Sequence, residues 1–306
     1  MTVASAVTAR SSALKATVSG YVALTKPRII ELLLVTTLPA MVLAARGMPS
    51  PEVAIATLVG GAAAAGSANA LNCYIDRDID AVMRRTAHRP LIDATISPRS
   101  ALIFGSALAL ASVGILWVAT NPLAVLLTVA AIAGYVVGYT LLLKRRTPQN
   151  IVWGGAAGCM PTLIGWAAVT GRLAWPPVVL FLIVFFWTPP HFWALAMRFR
   201  NDYAAAGVPM LPVVATDRVV VSRITLYAWL TVATSLLLWP VASMGPIYVV
   251  AAVVLGAVLM QEVYRLRQQV TRGGRIQPLR LFHISITYLS LLFIFVAVDV
   301  VATPWF

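Results

Sequence analysis

The chain has 306 residues, 60% of them hydrophobic and 11% charged, with a mean hydropathy of +0.87. A soluble domain carries about a quarter charged residues, so the composition excludes a soluble enzyme and points to a polytopic protein whose apolar runs cross a bilayer as helices. The net charge of +13 would suit a nucleic-acid binder, but it lies in loops between apolar runs, where it sets topology and meets anionic lipid.

Residues 1–20 are rich in Ala, Ser and Thr and hold Arg10 and Lys15 but no acid. They read as a disordered cytoplasmic tail; a short organellar targeting segment shares that composition. No apolar core precedes residue 20, so no cleavable signal is expected. Residues 21–306 read as one domain with nine spans, at 29–46, 53–75, 99–119, 122–143, 150–170, 174–196, 222–241, 246–264 and 281–301. Of the 23 basic residues, all but Arg46 and Arg172 fall on the side of the tail. The positive-inside rule then puts the N-terminus in the cytoplasm and, after an odd number of spans, the C-terminus outside.

Lys26-Pro27-Arg28 opens the first span, with Pro a good first-turn residue. Its bases read either as interfacial anchors or as anion contacts, and Glu31 is in range of Arg28. The second span contains GGAAAAGSANA, and Gly134/Gly138 and Gly154/Gly158 repeat the small-xxx-small spacing that lets helices pack closely in lipid. On that basis spans 2, 4 and 5 are expected in the interior.

The densest charge follows, in NCYIDRDIDAVMRRTAHRPL (72–91). Asn72, Asp76 and Asp80 are spaced i, i+4, i+8 and share one helix stripe; Asp78 falls on the opposite face. Such oxygens suit Mg²⁺, which takes one or two carboxylates plus waters and substrate phosphates. Arg77, Arg84, Arg85 and Arg89 follow at once, and guanidinium forks suit phosphate oxygens. Two readings fit: a magnesium–diphosphate site, or a cytoplasmic loop whose charges neutralise one another. Span 4 ends at Tyr139, an interfacial aromatic, and Lys144-Arg145-Arg146, where Lys144 is a second cation for a nearby diphosphate.

In the sixth span, Trp187-Thr188-Pro189-Pro190-His191-Phe192-Trp193 interrupts an apolar run, and the double proline should break or kink the helix. His191 is then an ionisable residue inside the membrane: a functional candidate, or a neutral imidazole bonded to a carbonyl the prolines free. Asp202 comes eleven residues later, with Arg198 in range to pair with it. Gly207, Pro209 and Pro212 make the next segment a defined non-helical loop. His88 and His283 read as loop or structural residues, and Asp299 has no evident partner. Cys73 and Cys159 sit in apolar surroundings and cannot build a disulfide framework or a thiolate zinc site.

The Asn-xxx-Asp-xxx-Asp motif at the cytoplasmic end of span 2, with nine spans and an acidic position after span 6, resembles the UbiA superfamily of intramembrane prenyltransferases. The segments LTKPRI (24–29), 72–91, YTLLLKRRTPQNIVWGGAAGCMP (139–161), WTPPHFWALA (187–196), DYAAAGVPMLPVV (202–214) and LFHISITYLSLLF (281–293) resemble its haem-farnesylating branch, the protohaem IX farnesyltransferases. The resemblance implies an all-α fold of nine transmembrane helices around a central cavity, with the active site at the cytoplasmic face of the plasma membrane. It implies Mg²⁺ as cofactor, and farnesyl diphosphate and haem b as substrates, haem b being no prosthetic group here. Asn72, Asp76, Asp80 and Asp202 are the implied metal ligands, and Arg28, Arg77, Arg84, Arg89, Tyr139 and Lys144 the implied diphosphate contacts. His191, Trp193, Arg198 and Arg200 are the implied haem contacts; Asp76, Asp80, Asp202 and His191 are the implied catalytic set. Membrane lipid, and haem A synthase or terminal-oxidase assembly factors, are the implied partners; nucleic acid is not. Many superfamily members carry a second DxxxD pair after span 6, where this chain has Arg198 and Asp202. Two other functions stay open: a related enzyme with a quinone-ring or chlorophyll-type acceptor, and a transporter with a cation site near the membrane surface. His191 and the missing second DxxxD count against the first; the cluster's place at the membrane face counts against the second.

Overall fold

A computed structural model describes residues 3–303. Among these residues the secondary structure is entirely helical, as expected where backbone groups have no water to bond and must satisfy one another within a segment. In chain order the helices are α1 (Val3–Thr25), α2 (Pro27–Ala45), α3 (Pro51–Ile75), α4 (Arg77–Val82), α5 (Pro98–Ala119), α6 (Pro122–Ala133) and α7 (Asn150–Gly154). Then come α8 (Ala156–Thr170), α9 (Trp175–Arg198), α10 (Arg200–Ala205), α11 (Leu211–Val214), α12 (Asp217–Ala242), α13 (Pro246–Thr271) and α14 (Pro278–Ala302). A ten-residue π-helix, Gly134–Leu143, continues α6.

Nine stretches among the described residues are long and apolar enough to cross a membrane, and they match the nine expected spans to within a few residues except where α12 starts earlier and α13 runs on to Thr271. Proline sits in the first turn of seven of these nine spans, where its missing N–H costs no intrahelical bond. Consecutive spans pack on one another around a ring, and α14 returns against α2 to close it. Two further contacts, α2 on α8 and α9 on α14, tie the ring across its middle.

Three expectations change. Residues 1–20 read as a disordered tail, but α1 covers Val3–Thr25; the segment holds no proline, no glycine before Gly20 and several alanines, the best helix former. Span 4 is not interior: 17% of its core window is buried, against 61% for Trp175–Arg198. Of its small residues, Gly138 has nothing near it and Gly134 only a distant contact with Ala157. Finally, α9 runs unbroken through Pro189 and Pro190. Thr188 Oγ1 bonds back to the Val184 carbonyl at 2.8 Å, and packing on α8, α12 and α14 holds the segment helical despite the lost bonds.

Asp299, without an evident partner in sequence, caps α13. Its fully buried carboxylate accepts from Gly245 N–H at 2.6 Å and Tyr248 N–H at 3.0 Å. A buried anion at a helix N-terminus answers both the orphan donors and the dipole. Asp299→Ala is therefore expected to destabilise the bundle by about 2 kcal/mol, and Asp299→Asn by less. Thermal unfolding in detergent, followed by the release of buried Cys73 and Cys159 to a thiol dye, reads the difference.

Candidate functional site

The site forms where the α1–α2 corner, the end of α3, the 83–97 loop and the π-helix meet. Lys26 stands at the corner in the left-handed conformation, φ 54° and ψ 65°, which is costly for a residue with a Cβ. Asn69 Nδ2 bonds to the Thr25 carbonyl at 2.9 Å and pins the corner to α3. Lys26 Nζ then reaches Asn72 Oδ1 at 2.8 Å. Withdrawal from solvent lowers its amine pKa to about 8, with Cys73 opposing and Arg89 and Lys144 reinforcing the shift.

The helical stripe is as expected. α3 gives way to α4 at Asp76, but the i→i−4 bonds continue: Asp76 N–H to Asn72 O and Asp80 N–H to Asp76 O, both 2.9 Å. Asn72, Asp76 and Asp80 are 3%, 0% and 3% exposed. Each meets a cation. Lys26 bonds Asn72; Lys144 pairs with Asp76, joined by Arg145 at 3.4 Å; Arg89 pairs with Asp80. Arg89 reaches back because Thr86 Oγ1 bonds the Asp80 carbonyl at 2.8 Å and Arg89 N–H bonds Thr86 O, closing the loop.

The π-helix supplies the opposite wall. Its wide turn is marked by Thr140 Oγ1 bonding Tyr135 O, five residues back, at 2.9 Å and by Lys144 N–H bonding Tyr139 O at 2.8 Å. π-turns recur at functional sites. Thr140, fully buried, accepts from Asn72 Nδ2 at 3.1 Å, while the same amide donates to Asp76 at 2.6 Å. With Nδ2 committed twice, the Asn72 carbonyl oxygen is the face left to Lys26. Tyr139 packs on Tyr135, ring centroids 5.4 Å apart, and lies against Gly154.

Asp78 points out of the stripe, as its spacing demands, and takes two bonds from Arg145 at 2.6 and 2.7 Å. That guanidinium holds its carboxyl down near a pKa of about 2. Arg77, Asp78 and Arg145 line a groove of about 410 Å³ with Ile75, Thr140 and Leu141. It opens beside the stripe, where Leu141 is exposed.

Asp202, on α10, lies across from the 83–97 loop. Its carboxylate accepts from Arg85 N–H at 3.3 Å, and the Arg85 side chain reaches Tyr203 Oη at 3.4 Å and covers the Phe199 and Tyr203 rings. Arg198 is exposed and makes no ion pair with Asp202 among the described residues. Arg200 pairs instead with Asp217, leaving its buried Nε unpartnered. Arg28 and Arg84 are exposed, and Arg77 folds onto Tyr74, its guanidinium 4.8 Å from the ring. Among the described residues no three His, Cys, Asp or Glu side chains converge on one point. The stripe thus offers two carboxylates and an amide, and Asp202, held at Arg85, does not join them.

Sequence reasoning weighs Lys26 and Arg85 as anion contacts without placing them in the site, and does not single out Thr140 or Arg145. Lys26 and Arg145 look like topology-setting bases until the corner and the π-helix bring them onto the stripe. The one available signal was Lys26 itself, placed directly before a proline and hence at a forced bend. His191 is on α9, buried, with its Nδ1 on Ser285 of α14 at 2.8 Å. Trp193 is buried two residues on, its Nε1 without a partner. His88 and His283 are exposed, and Cys73 and Cys159 are free and buried, all as expected.

Known proteins resemble this chain throughout. Residues 33–298 match the UbiA prenyltransferase family. The chain is 59% identical over 281 residues to protoheme IX farnesyltransferase 1 of Saccharopolyspora erythraea, covering 92% of this chain and 89% of that one. It is 58% identical over 294 residues to protoheme IX farnesyltransferase of a Nocardioides species, covering 95% and 94%. Among solved structures, a UbiA homologue from Aeropyrum pernix superposes with a TM-score of 0.69 at 18% identity, covering 88% of this chain and 97% of that one. A UbiA homologue from Archaeoglobus fulgidus bound to GPP and Mg²⁺ does so with a TM-score of 0.64 at 18% identity, covering 93% and 100%. By the match over residues 33–298 and these relatives, and with nine spans among the described residues closed into a ring, the chain belongs to the UbiA prenyltransferase family.

Proposed function

We propose that the chain transfers a farnesyl group from farnesyl diphosphate to a vinyl group of haem b, with addition of a hydroxyl at the same substituent and release of diphosphate. The observation that carries the donor half is the stripe: three buried oxygen-bearing side chains, each already faced by a cation. The acceptor half rests on relatives near 58% identity that span nearly the whole chain.

The donor set fits Mg²⁺. All candidate ligand atoms are oxygens, and two carboxylates plus an amide leave room for the waters and substrate phosphates this ion keeps. Asn72, Asp76 and Asp80 would hold it, while Asp202, bonded to Arg85 N–H, does not converge with them on the same ion; bound at the stripe, Mg²⁺ supplies neutralisation of charge on the departing diphosphate. Arg89, Lys144 and Arg145 exchange their carboxylate partners for phosphate oxygens as substrate enters, and Lys26, held until then by the neutral Asn72 amide, gains an anion. Arg28, Arg77 and Arg84 are outer contacts, available to the diphosphate only by rotating inward. As the carbon–oxygen bond of the donor breaks, these fixed charges face the leaving group in a site shielded from water. The terminal vinyl carbon bonds to the first farnesyl carbon. Water then supplies the hydroxyl to the adjacent carbon and gives up a proton. His191 is the haem-side candidate, facing α14 through Ser285 and Phe282; Trp193, two residues on and so on the opposite face of α9, packs on Tyr227 of α12, and Arg200 is held by Asp217, so neither shares that side with His191. The concentration of basic residues on one side supports an orientation with the N-terminus and this site in the cytoplasm.

Purified protein given haem b, farnesyl diphosphate and Mg²⁺ is expected to yield a haem heavier by one farnesyl and one hydroxyl group by mass spectrometry. Unchanged haem, with farnesyl passed to an added aromatic acceptor, would overturn the haem assignment.

A further inference from the structure

The surroundings of His191 decide the state of its ring. The imidazole is stacked between Trp187, centroids 4.2 Å apart at 19°, and Phe282, 4.5 Å at 24°, with Phe192 edge-on at 5.6 Å. Its Nδ1 is 2.8 Å from Ser285 Oγ, and that hydroxyl is 2.7 Å from the Phe282 carbonyl. Ser285 has one proton and the carbonyl can only accept. Both contacts are hydrogen bonds only if Ser285 donates to Phe282 O and His191 Nδ1–H donates to Ser285. Trp187 Nε1–H bonds the Ser285 carbonyl at 2.7 Å, so the stacking partner also fixes the serine. The tautomer assigned by this network leaves Nε2 with a bare lone pair. Nε2 has no partner among the described residues, and the residue keeps 7% of its surface open.

A buried imidazole with one nitrogen tied to an acceptor and the other bare is built either to take a proton or to bind a metal. The ring contacts three aromatics and a serine, with no carboxylate among them. An imidazolium there would be an unpaired charge at membrane depth, a costly state. Coordination uses the neutral lone pair and creates no such charge. We propose that His191 Nε2 is the axial ligand of the acceptor's haem iron, and that Ser285 is the positioning residue that fixes its tautomer and orientation. The inference rests on the haem reading above and extends it: iron is held through one nitrogen, and the porphyrin edge with its vinyl groups stays free to meet the farnesyl donor.

The test is haem b titrated into the purified protein in nanodiscs, read by absorbance and by resonance Raman of the ferrous state. Wild type is expected to show an iron–imidazole stretch. His191→Gly should lose that band and bind haem at least tenfold more weakly, and added imidazole should restore both. Ser285→Ala removes the acceptor from Nδ1, makes the imidazole a poorer donor and should lower the iron–imidazole frequency, whereas Ser285→Thr should keep it. Haem bound by wild type with no imidazole band, or the same band in wild type and His191→Gly without imidazole, overturns the ligand assignment alone. An unshifted band in Ser285→Ala overturns the role of Ser285. A wild-type protein that takes up no haem overturns the haem reading as well.

Discussion

Asp76→Asn is expected to lower farnesyl transfer by about 10²–10³-fold, the loss found when one preorganised electrostatic partner is removed from a site of developing charge. Asp76 is fully buried and is the point where Asn72, Lys144 and Arg145 converge. The amide keeps its shape but not its charge, so it weakens the hold on a divalent cation. It also leaves Lys144 facing a neutral group, while Arg145 keeps Asp78. Asp76→Ala goes further, since stripping one partner from a buried pair costs about 3–5 kcal/mol of stability. Asp78→Asn is the internal control. That carboxylate is two residues away and also bonds Arg145, but it is exposed and off the stripe. It should turn over near the wild-type rate, because exposed pairs contribute about 1 kcal/mol or less. Equal losses for Asp76→Asn and Asp78→Asn would mean that charge count, and not the stripe, governs activity.

Gly154→Ala is the second large effect. A Cβ at Gly154 would stand 2.2 Å from Tyr139 Cδ2 and 2.8 Å from its Cγ. The aromatic ring cannot yield by a small rotation, so the π-helix must shift, at about 1–3 kcal/mol for overpacking. That segment carries Thr140 and Lys144, which hold Asn72 and Asp76. A displacement near 1 Å of positioning groups can cost about 10²-fold in rate, and a loss of that order is expected in kcat/KM for farnesyl diphosphate. Gly158→Ala, where a Cβ meets nothing within 4 Å, should leave both stability and rate near wild type. Steady-state kinetics on the pair separates a packing requirement at Gly154 from a general intolerance of α7 and α8 to larger residues.

Hydropathy and spacing made much of this chain legible. The nine spans follow from apolar runs of bilayer length, and the Asn72–Asp76–Asp80 stripe from helical periodicity alone, because both depend only on neighbours in sequence. What stayed hidden depends on tertiary contact. Lys26 reads as an anchor or an anion contact until the left-handed corner turns it toward α3. Span 4 carries the small-residue spacing of an interior helix yet lies on the outside, with its π-turns facing the site. Pro189 and Pro190 read as a helix break or kink, and flanking helices keep α9 continuous through them. Asp202 and Arg198 have the spacing of a helical pair, yet Asp202 takes its bond from Arg85, over a hundred positions earlier. Asp299 and Ser285 find their partners across helix interfaces that no local pattern announces.

The central claim, that the stripe holds the diphosphate through a divalent cation, is tested most directly by binding. Farnesyl diphosphate would be titrated into purified wild type, Asp76→Asn and Asp80→Asn, each with Mg²⁺ and with EDTA. The account predicts tight binding by wild type only with Mg²⁺, and weak binding by both variants in either condition. Binding that is as tight in EDTA as in Mg²⁺, and unchanged by both substitutions, would contradict it.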